Sequence, residues 1–132
     1  MTLREYVLQD ALVIYDKMSF ARNVYRYLTN PAFKVTCRYR LQQRLGGGKN
    51  HLLKFVSSFF YTRLVNRYNC SLSPSTKIGS GVFFPHNFPL VINPSAVIGK
   101  NCIIHPNVLI GTDRGKEGAT YYRRQLLFRR WL

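Results

Sequence analysis

Apolar residues return every six positions through the second half of the chain. Leu72, Ile78 and Phe84 keep this beat, two residues intervene, and Ile92, Ile98, Ile104 and Ile110 resume it. Small or apolar residues recur four places on, at Thr76, Val82, Phe88, Ala96, Cys102 and Val108. A period of six fits neither the 3.6-residue turn of a helix nor the long strands of an ordinary sheet. It predicts a hexapeptide β-helix in which each hexad is one short strand and turn, and three hexads make one coil. The beat residues should stack into a buried interior and those between them should mostly face solvent. Gly79, Gly99 and Gly111 are expected to supply the corner conformations that other residues resist. An ordinary buried strand could hold Val97-Ile98 or Ile103-Ile104, but it leaves the seven-fold beat unexplained.

The first seventy residues follow a helical pattern. Leu3, Val7, Leu8, Leu12, Ile14, Tyr15 and Met18 are spaced by threes and fours, predicting one helical segment over 3–28. Asn30-Pro31 reads as an N-cap with proline at the first helical position, opening a second helix that runs to Leu45 before Gly46-Gly47-Gly48. Asn50 can cap a third, with a broad apolar face from Leu53 to Val65 and with Arg63 and Arg67 on one side. Asn69-Cys70-Ser71 makes the joint. The organisation expected is α+β: a helical region over 1–69, β-helix coils over 70–120 and a basic tail over 121–132. The aromatic load of the helices suits a layer packed on the first coil or on a second subunit.

Composition narrows the classes further. With 132 residues and 46% apolar content the chain should fold, as one domain or as two small layers sharing a core. It has no secretory start and no segment able to span a bilayer. Cys37, Cys70 and Cys102 are odd in number, widely spaced and without a Cys-x-x-Cys pair, so they read as buried thiols in a reducing compartment, the cytoplasm by default. No metal site is expected. The net charge of +15 raises nucleic acid or an anionic membrane as partners, but its distribution weakens both. Residues 1–70 hold twelve basic and three acidic side chains, whereas residues 71–112 hold only Lys77 and Lys100. An anionic substrate could use the same field.

Of three histidines, His51 opens a helix and should face solvent or cap, and His105 follows a beat residue as a structural or rim contact. His86 differs. It lies in Phe84-Pro85-His86-Asn87-Phe88-Pro89, just before the two-residue phase break. An insertion in a regular coil bulges outward and can aim a side chain into a groove. An imidazole there is suited to take a proton from a hydroxyl nucleophile, although a packed histidine remains the plainer alternative. No Asp or Glu lies between Asp16 and Asp113, so an acidic partner must come from afar.

Asn30-Pro31-Ala32, Leu72 to Gly81, His86 followed by Leu90-Val91-Ile92, and Ala96 to Asn101 together resemble the bacterial serine O-acetyltransferase family, over residues 28–119. The histidine followed by the phase break is the most specific element. The resemblance implies a helical N-terminal part, a left-handed parallel β-helix, acetyl-coenzyme A as co-substrate with no tightly bound cofactor, and a homotrimer with sites between adjacent coils. It makes His86 the catalytic base, assigns Asn30 and Asn87 to the acceptor, and assigns Gly111 and Thr112 to coenzyme A. Three departures stand out. Asn30 replaces an aspartate, Pro85 replaces the aspartate before the histidine, and a second histidine is missing near Ala119. Losing two carboxylates removes partners for an amino acid's ammonium group. The pattern then resembles the branch that acetylates sugars in capsule and exopolysaccharide synthesis, so a sugar hydroxyl is expected over serine. Serine itself, a non-catalytic hexapeptide scaffold, and a basic nucleic-acid or membrane-surface binder are the alternatives.

The last twelve residues share nothing with the repeat. One permitted set of codons for Tyr121 to Leu132, read one nucleotide later, encodes Thr-Ile-Gly-Asp-Asn-Cys, which echoes Ile98-Gly99-Lys100-Asn101-Cys102 in phase with the beat. The expectation is a frameshifted end and a truncated, crippled enzyme; a genuine basic amphipathic tail is the alternative.

Overall fold

The computed structural model describes residues 1–15, 20–86 and 89–111. Four helices lead: α1 (Leu3–Ile14), α2 (Phe20–Thr29), α3 (Pro31–Gly46) and α4 (His51–Tyr68). The starts of α1, α3 and α4 are chemically marked. Thr2 and Glu5 form a reciprocal capping box on α1, and Asn30 and Asn50 accept the orphan backbone amides of α3 and α4, as expected. The segment expected over 3–28 is instead two helices. Tyr15 leaves α1 in an extended conformation, and its ring lies 3.4 Å beneath the Arg26 guanidinium while its hydroxyl meets Asn30. The chain therefore folds back on itself at the price of one helix interruption, and α1 and α2 both pack on α3.

Seven short strands follow: β1 (Cys70–Leu72), β2 (Lys77–Ile78), β3 (Val82–Phe83), β4 (Leu90–Ile92), β5 (Val97–Ile98), β6 (Cys102–Ile103) and β7 (Leu109–Ile110). They form three parallel ladders, β1-β4-β7, β2-β5 and β3-β6, so that each circuit of three strands stacks on the one before. Leu72, Ile78, Phe84, Ile92, Ile98 and Ile104 are buried, as are Thr76, Val82, Ala96 and Cys102 four places on from beat residues. Ile110 packs half-buried against them. Exposed Lys77, Val91 and Val97 alternate with this interior.

The corner residues differ from those expected. Gly81 (φ 78°), Asn101 (φ 54°) and Asn107 (φ 60°) hold the left-handed conformations, not Gly79, Gly99 or Gly111. Gly79 is needed for a different reason: a Cβ there would lie 2.8 Å from the Gly99 backbone in the coil above. At Gly81 an added Cβ would fall 2.2 Å from Asn101 Oδ1 on a left-handed backbone. Gly81→Ala should thus lower unfolding free energy by at least about 1 kcal/mol in urea titration. Gly99→Ala, which meets open space, should stay within about 0.5 kcal/mol. Equal effects would contradict the assignment.

The helices sit on the first coil through buried polar side chains of α3. Tyr39 Oη donates to Thr76 O at 2.7 Å, and Gln42 Nε2 donates to Leu72 O. Arg40, 1% exposed, donates to Ile78 O and Gly79 O and pairs with fully buried Asp10 of α1 at 2.7 Å. Asp10 Oδ1 also accepts from the backbone N–H groups of Gly81 and Val82. One ion pair therefore joins α1, α3 and the β2–β3 corner of the first coil.

None of the three cysteines is in a disulfide. Burial pushes the Cys70 and Cys102 thiols from 9.0 up to about 11, and burial followed by the Asp10 charge pushes Cys37 to about 12. Unfolding restores ordinary thiols, which ionise first. Their contribution to stability is therefore full below pH 9.0 and is lost as pH rises towards 11. Urea midpoints should fall from pH 8 to pH 10.5, and less so in Cys70→Ala/Cys102→Ala; an identical fall in that variant would contradict the thiol origin. Among the described residues no helix is long and apolar enough to cross a membrane.

Candidate active site

The first coil is longer than the second, and the excess lies at one corner. Val91 follows Phe83 by eight positions, whereas their ladder partners Leu109 and Ile103 are six apart. The extra residues fall between β3 and β4, in the stretch that contains His86. Phe84, 1% exposed and edge-on to the Tyr39 ring at 6.5 Å, anchors one side of this bulge. Buried Leu90 anchors the other. Pro85 and Pro89 have no N–H to give to a ladder. His86 sits on the resulting bend, exposed to solvent.

A second imidazole shares this corner. Ile104 N donates to Phe83 O, which sets His105 on the second coil over the entry to the bulge, half-exposed. Asn107, in its left-handed turn, donates to Pro89 O at 2.8 Å and ties the second coil to the far side. The ladder register is the signal that joins these histidines; read along the chain alone, His105 was only a structural or rim residue. His51 opens α4 and is exposed, with the N-cap supplied by Asn50.

The described carboxylates are placed elsewhere. Asp10 is committed to Arg40 and the β3 backbone, and Glu5 to the Thr2 cap. The other three acids, Asp16, Asp113 and Glu117, fall outside the described residues. Asn30 is half-buried and committed to its own helix, accepting from Ala32 N and Phe33 N and donating to Tyr15 Oη. An aspartate here could cap equally well but could not donate to the tyrosine oxygen. Gly111 ends β7, half-buried, with open space where a Cβ would point. Asn87, Thr112 and the tail over 121–132 lie outside the described residues. Among those described, no three His, Cys, Asp or Glu side chains gather closely enough to hold a metal ion.

An exposed imidazole on such a bend can exchange a proton with a diffusible hydroxyl. The chain is 27% identical over 118 residues to a serine acetyltransferase of Synechocystis sp., and 24% identical over 113 residues to one of Synechococcus elongatus. These alignments cover 86% and 85% of the chain but 44% and 45% of the two relatives. They support the hexapeptide acyltransferase family. The soybean serine acetyltransferase solved in complex with serine has the same fold over 89% of the chain and 47% of its own, with a TM-score of 0.70 at 22% identity. No family model matches the chain. The chain thus spans less than half the length of the serine acetyltransferases it matches.

Proposed function

We propose that this chain belongs to an acetyl-coenzyme A-dependent O-acetyltransferase of the serine acetyltransferase type, with His86 as general base. The observation that carries the reading is an exposed histidine on the two-residue expansion of a parallel coil, in a chain similar to serine acetyltransferases along most of its length. In this reading the three ladders are the three faces of the first coils of a left-handed β-helix, and the enzyme works in the cytoplasm as a homotrimer with sites between neighbouring coils. His86 accepts the hydroxyl proton as that oxygen attacks the thioester carbonyl carbon. Backbone amides of a neighbouring coil meet the developing oxyanion, with Gly111 and Thr112 as the candidates for holding coenzyme A. The C–S bond then breaks, and the imidazolium returns the proton to the departing coenzyme A thiolate.

Serine is the acceptor the relatives favour. The sugar expected from Asn30 and Pro85 has no support among them. The missing carboxylates argue for weak recognition of the serine ammonium, hence a high KM, and not for a different acceptor class. Asn30 and Asn87 remain the acceptor-side candidates. The test is release of coenzyme A from acetyl-coenzyme A by the purified chain with L-serine or with a panel of monosaccharides. Serine-dependent release at millimolar serine is expected. Release with sugars only would overturn the acceptor, and no release with either would overturn the activity.

A further inference from the structure

The four helices leave a groove that the reaction at His86 does not use. It encloses about 640 Å3 between Leu3 and Val7 of α1, Val24 and Tyr27 of α2, Leu41 of α3 and Phe60 of α4. Each of the first two helices contributes residues three or four apart, so the walls are the ridged faces that normally receive another helix. The space suits roughly four anchoring side chains on an i, i+3, i+4, i+7 stripe. Val24 (45% exposed) and Tyr27 (37%) stand in it uncovered, and the apolar surface runs on over α4 through the Phe59–Phe60 pair to exposed Phe55.

Charge selects the occupant. Arg4 and Arg38 line the same groove; Arg38 donates to Tyr68 Oη at 3.1 Å and lies over its ring, and no carboxylate among the described residues forms an ion pair with either arginine. The acids of α1 cannot soften this field, because Asp10 is buried against Arg40 and Glu5 is held by the Thr2 cap. A second copy of the chain would bring the same excess of twelve basic over three acidic side chains in residues 1–70. A flat bilayer surface could not fill a concave, helix-walled space. We infer that the groove between α1, α2, α3 and α4 receives an acidic amphipathic helix of another protein. Its apolar stripe enters the groove, and its carboxylates meet Arg4, with Arg38 adding positive charge from its place beside Tyr68.

The test is selection from a displayed library of 18-residue helices, randomised at apolar and charged positions, against the whole 132-residue chain. Expected is enrichment of peptides with Leu or aromatic residues at i, i+3 or i+4 and i+7 flanked by Asp and Glu. A synthetic peptide from the enriched pool should lose at least about tenfold in affinity towards Val24→Glu. It should lose as much towards Arg4→Glu, which leaves the apolar lining intact and lies on the exposed surface. No enrichment over the Val24→Glu chain, or enrichment of basic helices, overturns the inference. So does Val24-dependent binding to phosphatidylserine vesicles without peptide binding, and so does self-association abolished by Val24→Glu.

Discussion

Replacing His86 with alanine lowers serine-dependent coenzyme A release by roughly two to four orders of magnitude, the range for losing a positioned general base. The change should appear in kcat more than in KM, since the imidazole acts on the hydroxyl proton in the transition state. Folding should be unaffected. His86 is exposed on a bend whose position is held by Phe84 and Leu90, so its loss opens no cavity and should shift the urea midpoint by less than about 0.5 kcal/mol equivalent. His105→Ala, one coil above, is the informative control, because a shared corner does not imply a shared role. Unchanged turnover in His86→Ala, with the fold intact, removes that residue from the mechanism.

The largest stability effect belongs to Asp10→Ala. It strands the Arg40 guanidinium in an interior where the residue is 1% exposed, and it deprives Gly81 N and Val82 N of their acceptor. Breaking such a pair by removing one partner costs about 3–5 kcal/mol, enough to unfold a marginal chain. The double variant Asp10→Leu/Arg40→Met separates two contributions. If Coulomb attraction alone mattered, an apolar pair of similar volume would recover most of the loss. Here each charge also satisfies backbone groups of the coil, so the double variant should remain clearly less stable than the parent, each buried orphan costing about 1–3 kcal/mol. Full recovery in a urea titration would refute that division.

The sequence reveals the coil better than it reveals the helices, and the reason is geometric. A six-residue beat is a local signal, and burial of Leu72, Ile78, Phe84, Ile92, Ile98 and Ile104 follows once the period is recognised. The bulge at His86 was legible for the same reason, as a break in that period. Asp10 and Arg40 were not. They are thirty positions apart on separate helices, where a charge ordinarily faces water, and nothing along the chain states that α1 crosses the first corner of the coil. The corner glycines misled because a glycine can be required by close approach, as at Gly79, as well as by a left-handed backbone, as at Gly81. Likewise, Tyr15 continues the three-and-four apolar spacing of 3–28, but its contacts with Arg26 and Asn30 place it outside the helix.

The polar side chains of α3 have a consequence for how such a stack stays solitary. Tyr39, Arg40 and Gln42 occupy the carbonyls of Leu72, Thr76, Ile78 and Gly79, which any further strand added beneath the first coil would need. Parallel stacks are templates, and an unprotected rim recruits whatever extended chain is nearby, including copies of itself. The helical layer is in this sense a stopper. It gives the stack a direction, so that further β-structure can be added only past β7, and a chain shorn of α1 to α3 should assemble end to end into fibres instead of remaining dispersed.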